Sequence, residues 1–443
     1  RVSNIGDLKM PLPTIPSGNV ASAIGGAFEV ANSCRFNDGD AACMHKTPSS
    51  SGNRRTFTFS TWVKKTNILS TNIYNDLYSA YSDANNFSRI LYWDSNILTF
   101  TNKVGGSFPT FMNLNSKHRD PSAWLHICIA VDTTQSVEAN RVKFYVNGTQ
   151  ETSFASSTYP SQNEDFFFNH TNEHNIGQLG DDDSALYFDG YLAETVMIDG
   201  LQLAPTSFGE FDEDSPNIWK PIDVSGLTFG TNGFYLDYED SSNLGNDKSG
   251  GTDFTEVNLA ATDQSTDTCT NNFATLNILT KPSYHTHAEG NLESFGNTSS
   301  DQGHSDATIS ATSGKWYAEV KVIATNTTGG TASYPRYGFR HINNKEYGRL
   351  QNGGVGSPGR YFSNEGLYQS DGQKYINAST SSFGDTFAAN DIIGIAVDCD
   401  NGAVYFSKNG TFQNSGNTSS GASKTGALVT WTPADLDGFV FAC

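Results

Sequence analysis

Between Arg55 and Lys65 the side chains alternate in character, with Phe57, Phe59, Thr61 and Val63 on one side and Thr56, Thr58, Ser60, Trp62 and Lys64 on the other. A period of two is that of an extended strand, so this stretch predicts an antiparallel β-strand. The strongest version of the pattern is written twice. His126–Asp132 leads through a polar loop into Arg141–Thr149, and Ile392–Asp398 leads through a tighter turn into Ala403–Thr411. Each copy is a β-branched strand followed by an alternating partner that closes on Asn-Gly, a pair suited to a tight turn with positive φ. The copies lie far apart in different surroundings, which predicts two β-domains, each with its hairpin at the centre of a sheet. Ile90–Trp93 and Ile97–Phe100 form a further hairpin across Asp94-Ser95-Asn96, and Gly233–Tyr238 and Gly314–Val322 read as strands. Trp124 and Phe144 are expected in the first core. Residues 1–29 carry Pro11, Pro13, Pro16 and the small-residue run Ala21–Ala27 without either periodicity, and read as an arm.

Composition sharpens this to an all-β protein. The 443 residues include 29 Phe, 19 Tyr and 42 Gly but only 4 Met, which suits short aromatic strands joined by turns. A formal charge of −20 repels phosphate backbones, so no nucleic acid is expected as a partner. No apolar run is long enough to span a bilayer, so no membrane insertion is expected; a start at Arg1 suggests that the true start lies upstream. The cysteines form no CxxC pair, and Cys128 reads as a small buried hydrophobe. Cys34 and Cys43 flank Asn37–Asp40. A tight hairpin there would set them opposite each other within reach of a disulfide, the alternative being two reduced thiols.

The phrases "FTFSTWVK", "AWLHICIAVD" to "VKFYVNG", an "IG" strand and "FDGYLAETVMIDGLQLAP" together resemble a laminin G-like, concanavalin-type jelly roll over residues 30–208. "GKWYAEVKV", "RYGFR", "NDIIGIAVDCDNGAVYFSKNG" and "WTPADLDGFVFAC" resemble a SPRY-type β-sandwich over 286–443, expected to be cut within its last strands. Between them, residues 209–285 read as an ordered connector with one or two strands. Its phrases "LGNDKSGGTDFT" and "TDTCTNNFATLN" resemble the connector after this jelly roll in structural proteins of tailed bacterial viruses, especially marine ones. The resemblance implies two antiparallel β-sandwich domains in a virion protein, displayed on the particle surface as a homo-oligomer among other virion proteins.

Candidate chemistry is sparse. Concanavalin-type folds also host glycan hydrolases, which need two carboxylates across a cleft. The best run, Glu210-Phe211-Asp212-Glu213-Asp214, breaks the required spacing at Ser215 and lies between Pro205, Gly209 and Pro216, in an expected loop. No Gly-x-Ser-x-Gly turn occurs. His285 and His287 read as exposed loop histidines, and Asp237, Glu239, Asp240 and Asp247 as a solvated acidic surface. No cofactor is expected other than Ca²⁺, for which Asp181, Asp182 and Asp183 at the rim of the jelly roll are the candidate ligands. The segment from Lys345 to Tyr368 combines Tyr347, Arg349, Arg360, Tyr361 and Tyr368 with Gly-rich turns, a pattern suited to gripping a host-surface glycan or protein. Attachment without catalysis is therefore the expected function. The rivals are a capsid or tail decoration protein and a surface-glycan hydrolase.

Overall fold

In a computed structural model the chain is described over residues 28–70, 73–180, 187–281, 285–296, 305–324, 336–341, 366–376, 379–433 and 438–442. The expected arm falls outside these, apart from Phe28 and Glu29. The described residues divide into two compact units, one within 28–273 together with 288–290, the other within 274–287 and 291–442. The stretch read as a connector is thus split, and its larger part, through Phe273, belongs to the first unit.

In the first unit, β1 (Ser33–Phe36) and β2 (Cys43–Lys46) are joined by a 3-10 turn at Asp38–Asp40. Asn37 Oδ1 accepts from the Gly39 N–H at 3.2 Å, and Ala41 adopts a left-handed conformation, φ 56°. This turn sends the chain into the opposite sheet instead of back along itself. The tight hairpin that would set Cys34 opposite Cys43 therefore does not form: Cys34 lies opposite Leu192 and Cys43 opposite Val257, and both are free, buried thiols, as in the alternative reading. Burial pushes the Cys43 thiol up to about 11.

The chain continues through β3 (Thr56–Lys65), β4 (Tyr74–Asp83), β5 (Asn86–Trp93), β6 (Ile97–Val104), β7 (Ser107–Lys117) and β8 (Leu125–Asp132). Next come β9 (Val142–Val146), β10 (Thr149–Glu151), β11 (Phe154–Thr158), β12 (Glu173–Ile176) and β13 (Gly190–Asp199). The last strands of this unit are short: β14 (Gly209–Phe211), β15 (Trp219–Pro221), β16 (Phe234–Leu236), β17 (Thr255–Val257) and β18 (Gln264–Ser265). One antiparallel sheet runs β10-β9-β8-β3-β13-β1-β18, with β16 on β13; the other runs β11-β7-β6-β5-β4-β12-β2-β17. The predicted hairpin is β8–β9, toward one end of its sheet and not at the centre, and it closes on Asn147 (φ 46°) and Gly148 (φ 74°). Between the sheets lie Phe57, Phe59, Val63, Tyr78, Phe100, Phe144 and Phe168, with Phe59 and Tyr78 stacked at 5.1 Å.

The other face of the first sheet, which carries Thr58, Ser60, Trp62 and Lys64, is covered as well. Trp62, Trp124, Tyr191, Trp219 and Cys269 form a second apolar cluster, and Cys128, Val196, Ile198, Phe208 and Tyr235 a third. Lys64 is fully buried there, because Asp267 (2.7 Å), Asn272 (2.8 Å) and the Phe273 carbonyl (2.8 Å) accept from its Nζ. Trp124 Nε1 donates to the second Asp267 oxygen at 2.9 Å. Two of the acids expected in solvent are likewise buried. Asp247 holds Lys46 at 3.3 Å and accepts from the Tyr235 N–H, and Asp237 pairs with Lys248 at 3.0 Å; only Glu239 and Asp240 are exposed. In β13 a bulge places Glu194 at φ 49° with its carboxylate oxygen against Tyr235 Oη at 2.8 Å, and burial pushes this carboxyl up to about 8.

The remaining strands are β19 (His285–Ala288), β20 (Glu293–Gly296), β21 (Asp306–Ala311), β22 (Lys315–Lys321), β23 (Arg336–His341) and β24 (Gly366–Gln369). They are followed by β25 (Gln373–Ile376), β26 (Ser379–Ser382), β27 (Ile392–Asp398), β28 (Ala403–Lys408), β29 (Thr411–Phe412), β30 (Val429–Thr430) and β31 (Phe439–Ala442). The second sandwich packs the sheet β21-β31-β23-β24-β25-β26 on β22-β27-β28-β29, with β30 on β28. Here the predicted hairpin, β27–β28, is central. Phe339, Tyr368, Ile395, Phe406, Trp431 and Phe439 fill its core.

Phe144→Ala and Trp124→Ala are each expected to lower the unfolding free energy by about 3–5 kcal/mol, through lost transfer energy and a residual cavity. Urea unfolding monitored by fluorescence checks this, and an unchanged midpoint for either variant would contradict its placement. The pH dependence follows from Glu194. Its folded pKa lies above the ordinary value of 4.5, so the folded state retains a proton that the unfolded chain has lost, and stability falls as pH rises from about 4.5 to about 8. Glu194→Gln is expected to flatten that decline in melting temperatures measured across the window. His126 and His174, each held neutral by burial with a pKa of about 3, act with the opposite sign. Their contribution is complete above about 6.5 and is lost as pH falls toward 3.

Candidate functional site

The second sheet of the first unit leaves one face outside the core. Ile90, Tyr92, Leu98 and Phe100 point inward, so by the alternation of a pleated strand their neighbours point outward. Register places Thr255, His45, Asn175, Ser79, Arg89, Thr101, Phe111 and Thr158 in one unbroken row across this outer face, each directly opposite the next. At its middle Arg89 clasps Asp76 through Nε (2.8 Å) and a second nitrogen (2.5 Å). The two-pronged geometry compensates the burial of both charges.

Aromatic rings frame this pair. Tyr74 stacks on Trp93 at 5.9 Å and 8°, Trp93 meets Phe111 edge-on at 5.4 Å, and Phe111 meets Phe108 at 5.8 Å. Phe108 continues to Phe87 at 6.2 Å and Phe87 to Tyr81 at 6.4 Å. The Arg89 guanidinium closes the frame, 5.1 Å from the Tyr74 ring and 5.8 Å from Phe87. Trp93 reaches Phe111 across the intervening strand β6, where Thr99 is 1% exposed. Phe108 is 43% exposed, while Tyr74, Tyr81, Trp93 and Phe111 are half-buried. Trp93 Nε1, Thr101 Oγ1 and Asn175 Nδ2 have no hydrogen-bond partner, although Thr101 and Asn175 are almost completely buried. Such atoms ordinarily find a partner. The aromatic frame, with its half-buried rings and the exposed Phe108, marks this surface as the candidate binding face, able to stack on flat rings.

Of the residues expected to bind, Tyr368 alone is among the described residues. Tyr347, Arg349, Arg360 and Tyr361 lie outside the described residues, as do Asp181, Asp182 and Asp183. Tyr368 is a core residue: fully buried in β24, it packs on Phe383 (5.3 Å), Phe387 (5.1 Å) and Phe406 (5.6 Å), and its hydroxyl donates to the Asp385 carbonyl. Its ring is therefore not available to a ligand. Sequence reasoning missed the face on β4–β7 because β5 carries Phe87, Arg89, Leu91 and Trp93 on one side and Ile90 and Tyr92 on the other, so both sides read as core. The available signal was the pair of arginine and tryptophan on the same side.

Other constellations resolve as structural. Ser60 and His126 resemble a nucleophile–base pair at 2.8 Å, but Trp219 Nε1 donates to His126 Nδ1 at 3.1 Å. The proton is thus on Nε2, so His126 donates to Ser60 and cannot withdraw its proton. The Glu210–Asp214 run begins in strand β14 rather than in a loop, and Lys220 pairs with Glu210 at 3.3 Å and Asp212 at 3.5 Å instead of leaving two carboxylates facing a groove. His285 and His287 are half-buried in β19, not exposed in a loop. His287 meets Ser305 Oγ at 2.7 Å, and burial pushes it down to about 4. Among the described residues no three His, Cys, Asp or Glu side chains are grouped to hold a metal. A depression of about 620 Å³ beside Arg54 and Thr231 has its charges engaged, with Arg55 on Asp165 at 2.7 Å and Asp199 on the Asn53 N–H at 2.7 Å.

Residues 37–200 match the family described as the Concanavalin A-like lectin/glucanases superfamily, of laminin G type, and residues 315–431 match the SPRY domain. No curated protein matches the chain in sequence. Among solved structures, similarity extends to a putative carbohydrate binding protein from Bacteroides ovatus, at 13% identity over 52% of this chain and 58% of that chain, TM-score 0.34. Domain 4 of the arabinanase AbnA from Geobacillus stearothermophilus, in complex with arabinotriose, is similar at 18% identity over 43% and 83%, TM-score 0.30. The LG4-5 domains of the mouse laminin alpha1 chain are similar at 11% identity over 95% and 85%, TM-score 0.31. The two matches support a composition of one laminin G-like, concanavalin-like domain and one SPRY-like domain in an all-β protein.

Proposed function

We propose that this chain is a non-catalytic attachment protein of a tailed bacterial virus, displayed in several copies on the particle among other virion proteins, and that its laminin G-like domain binds host-surface glycan on the outer face of β4–β7. The observation that carries the reading is the aromatic frame around Arg89, with Phe108 exposed on it. Aromatic faces pack on the apolar faces of sugar rings, and a few convergent polar groups set orientation. Because Asp76 already neutralises Arg89, the centre of the face favours uncharged sugars. The family match to lectins and glucanases supports a glycan ligand, and the engaged Ser60, His126 and Glu210 support binding without hydrolysis. The reading requires no cofactor. Weak single sites suffice, since many copies on one particle raise the effective concentration.

Purified protein is expected to bind host cells, and Trp93→Ala with Phe111→Ala to weaken that binding by about tenfold or more, equivalent to at least ~1.4 kcal/mol. Phe211→Ala, an exposed aromatic outside the frame, serves as the control and should bind as wild type. Unchanged binding by the double variant would remove the site from this face, and release of sugar fragments from host envelopes would refute the non-catalytic reading.

A further inference from the structure

The first unit buries two consecutive lysines at the end of β3, and their surroundings differ in kind. Lys64 is an ammonium with a full set of oxygen acceptors, the Asp267 carboxylate among them. Lys65, 4% exposed, forms no ion pair among the described residues. Its Nζ lies 4.5 Å from the Tyr92 ring centre and hydrogen-bonds to a single side chain, through Asn96 Oδ1. Asn96 is fully buried in the β5–β6 turn, held in a left-handed conformation at φ 71°. The same Oδ1 accepts from the Leu69 N–H at 3.0 Å, and Asn96 Nδ2 faces the Leu69 carbonyl at 3.4 Å. An amine and a carboxamide are therefore held together in a site closed to water, with a backbone donor on the carbonyl oxygen.

We propose that Lys65 and Asn96 become joined by an intramolecular isopeptide bond, formed once the fold has brought them together. The Lys65 Nζ lone pair attacks Asn96 Cγ, and the Leu69 N–H stabilises the oxygen as it gains charge. One Nζ proton passes to Asn96 Nδ2, the Cγ–Nδ2 bond breaks, and the nitrogen leaves as ammonia. Amine and primary amide thus become a secondary amide and ammonia, with no oxidant or other reactant. Burial lowers the Lys65 ammonium to about 7, which supplies the neutral amine at ordinary pH. Asp189 is the carboxyl whose charge acts on Lys65, and burial raises it to about 7, so it does not hold Lys65 as a fixed carboxylate–ammonium pair. The bond would tie the end of β3 in one sheet to the β5–β6 turn of the other. No disulfide does this, because Cys34, Cys43, Cys128 and Cys269 are free.

The test is the intact mass of the purified full chain, followed by proteolysis and peptide mapping. The expected result is a mass one ammonia below that of the sequence and a branched peptide containing both Lys65 and Asn96, with no trypsin cleavage after Lys65. Lys65→Arg and Asn96→Ser should each restore the full sequence mass. A wild-type chain at full mass that yields the two peptides separately would overturn the proposal, and so would loss of ammonia mapped to any other residue. The wild-type measurement decides the matter even if neither variant folds.

Discussion

A fully buried ammonium organises the first unit. Removing Lys64 from water costs several kcal/mol unless its charge and N–H groups are satisfied, and the acceptors come from more than two hundred residues further along the chain, at Asp267, Asn272 and Phe273. That requirement holds residues 264–273 against the first sheet. Trp124 joins the same cluster through Asp267, and Trp62, Tyr191 and Cys269 pack beside it. A single ion pair with its hydrogen bonds thereby gives the sheet a second apolar layer, and the segment between the sandwiches becomes part of a domain.

This arrangement makes the two sheets unequal. The first is covered on both faces, by the core and by the chain from Phe208 to Phe273, so it has no broad surface left for a ligand. The second keeps its outer face, where Arg89 and Asp76 satisfy each other while the surrounding rings stack among themselves. Aromatic contacts at ring separations near 5–6 Å hold such a surface flat before any ligand arrives, which lowers the ordering cost of binding.

The interior polar groups serve assembly. His126 is neutral, oriented by Trp219 and donating to Ser60, so a pair that could be mistaken for catalytic machinery joins β3, β8 and β15 across the covered face. Glu194 in its bulge meets Tyr235 of β16 in the same way. Each relies on burial to hold a side chain in its uncharged form, which makes stability sensitive to pH on both the acid and the alkaline side.

Local periodicity and turn chemistry determined much of this in advance. The alternation in Thr56–Lys65, the two β-branched hairpins and their Asn-Gly turns are properties of short segments, and they recur in the structure with the expected strands and positive φ values. What a period of two does not encode is the partner of each face. Asp247 reads as surface and is buried, Tyr368 reads as a ligand-gripping loop residue and is core, and Cys34 and Cys43, which a tight hairpin would make neighbours, enter different sheets. The aromatic frame was equally illegible, because Tyr74, Trp93, Phe111 and Phe108 come from separate strands and meet only through register. Each of these outcomes depends on contacts between segments far apart in the chain, whose energies no local pattern contains, and tertiary packing alone decided them.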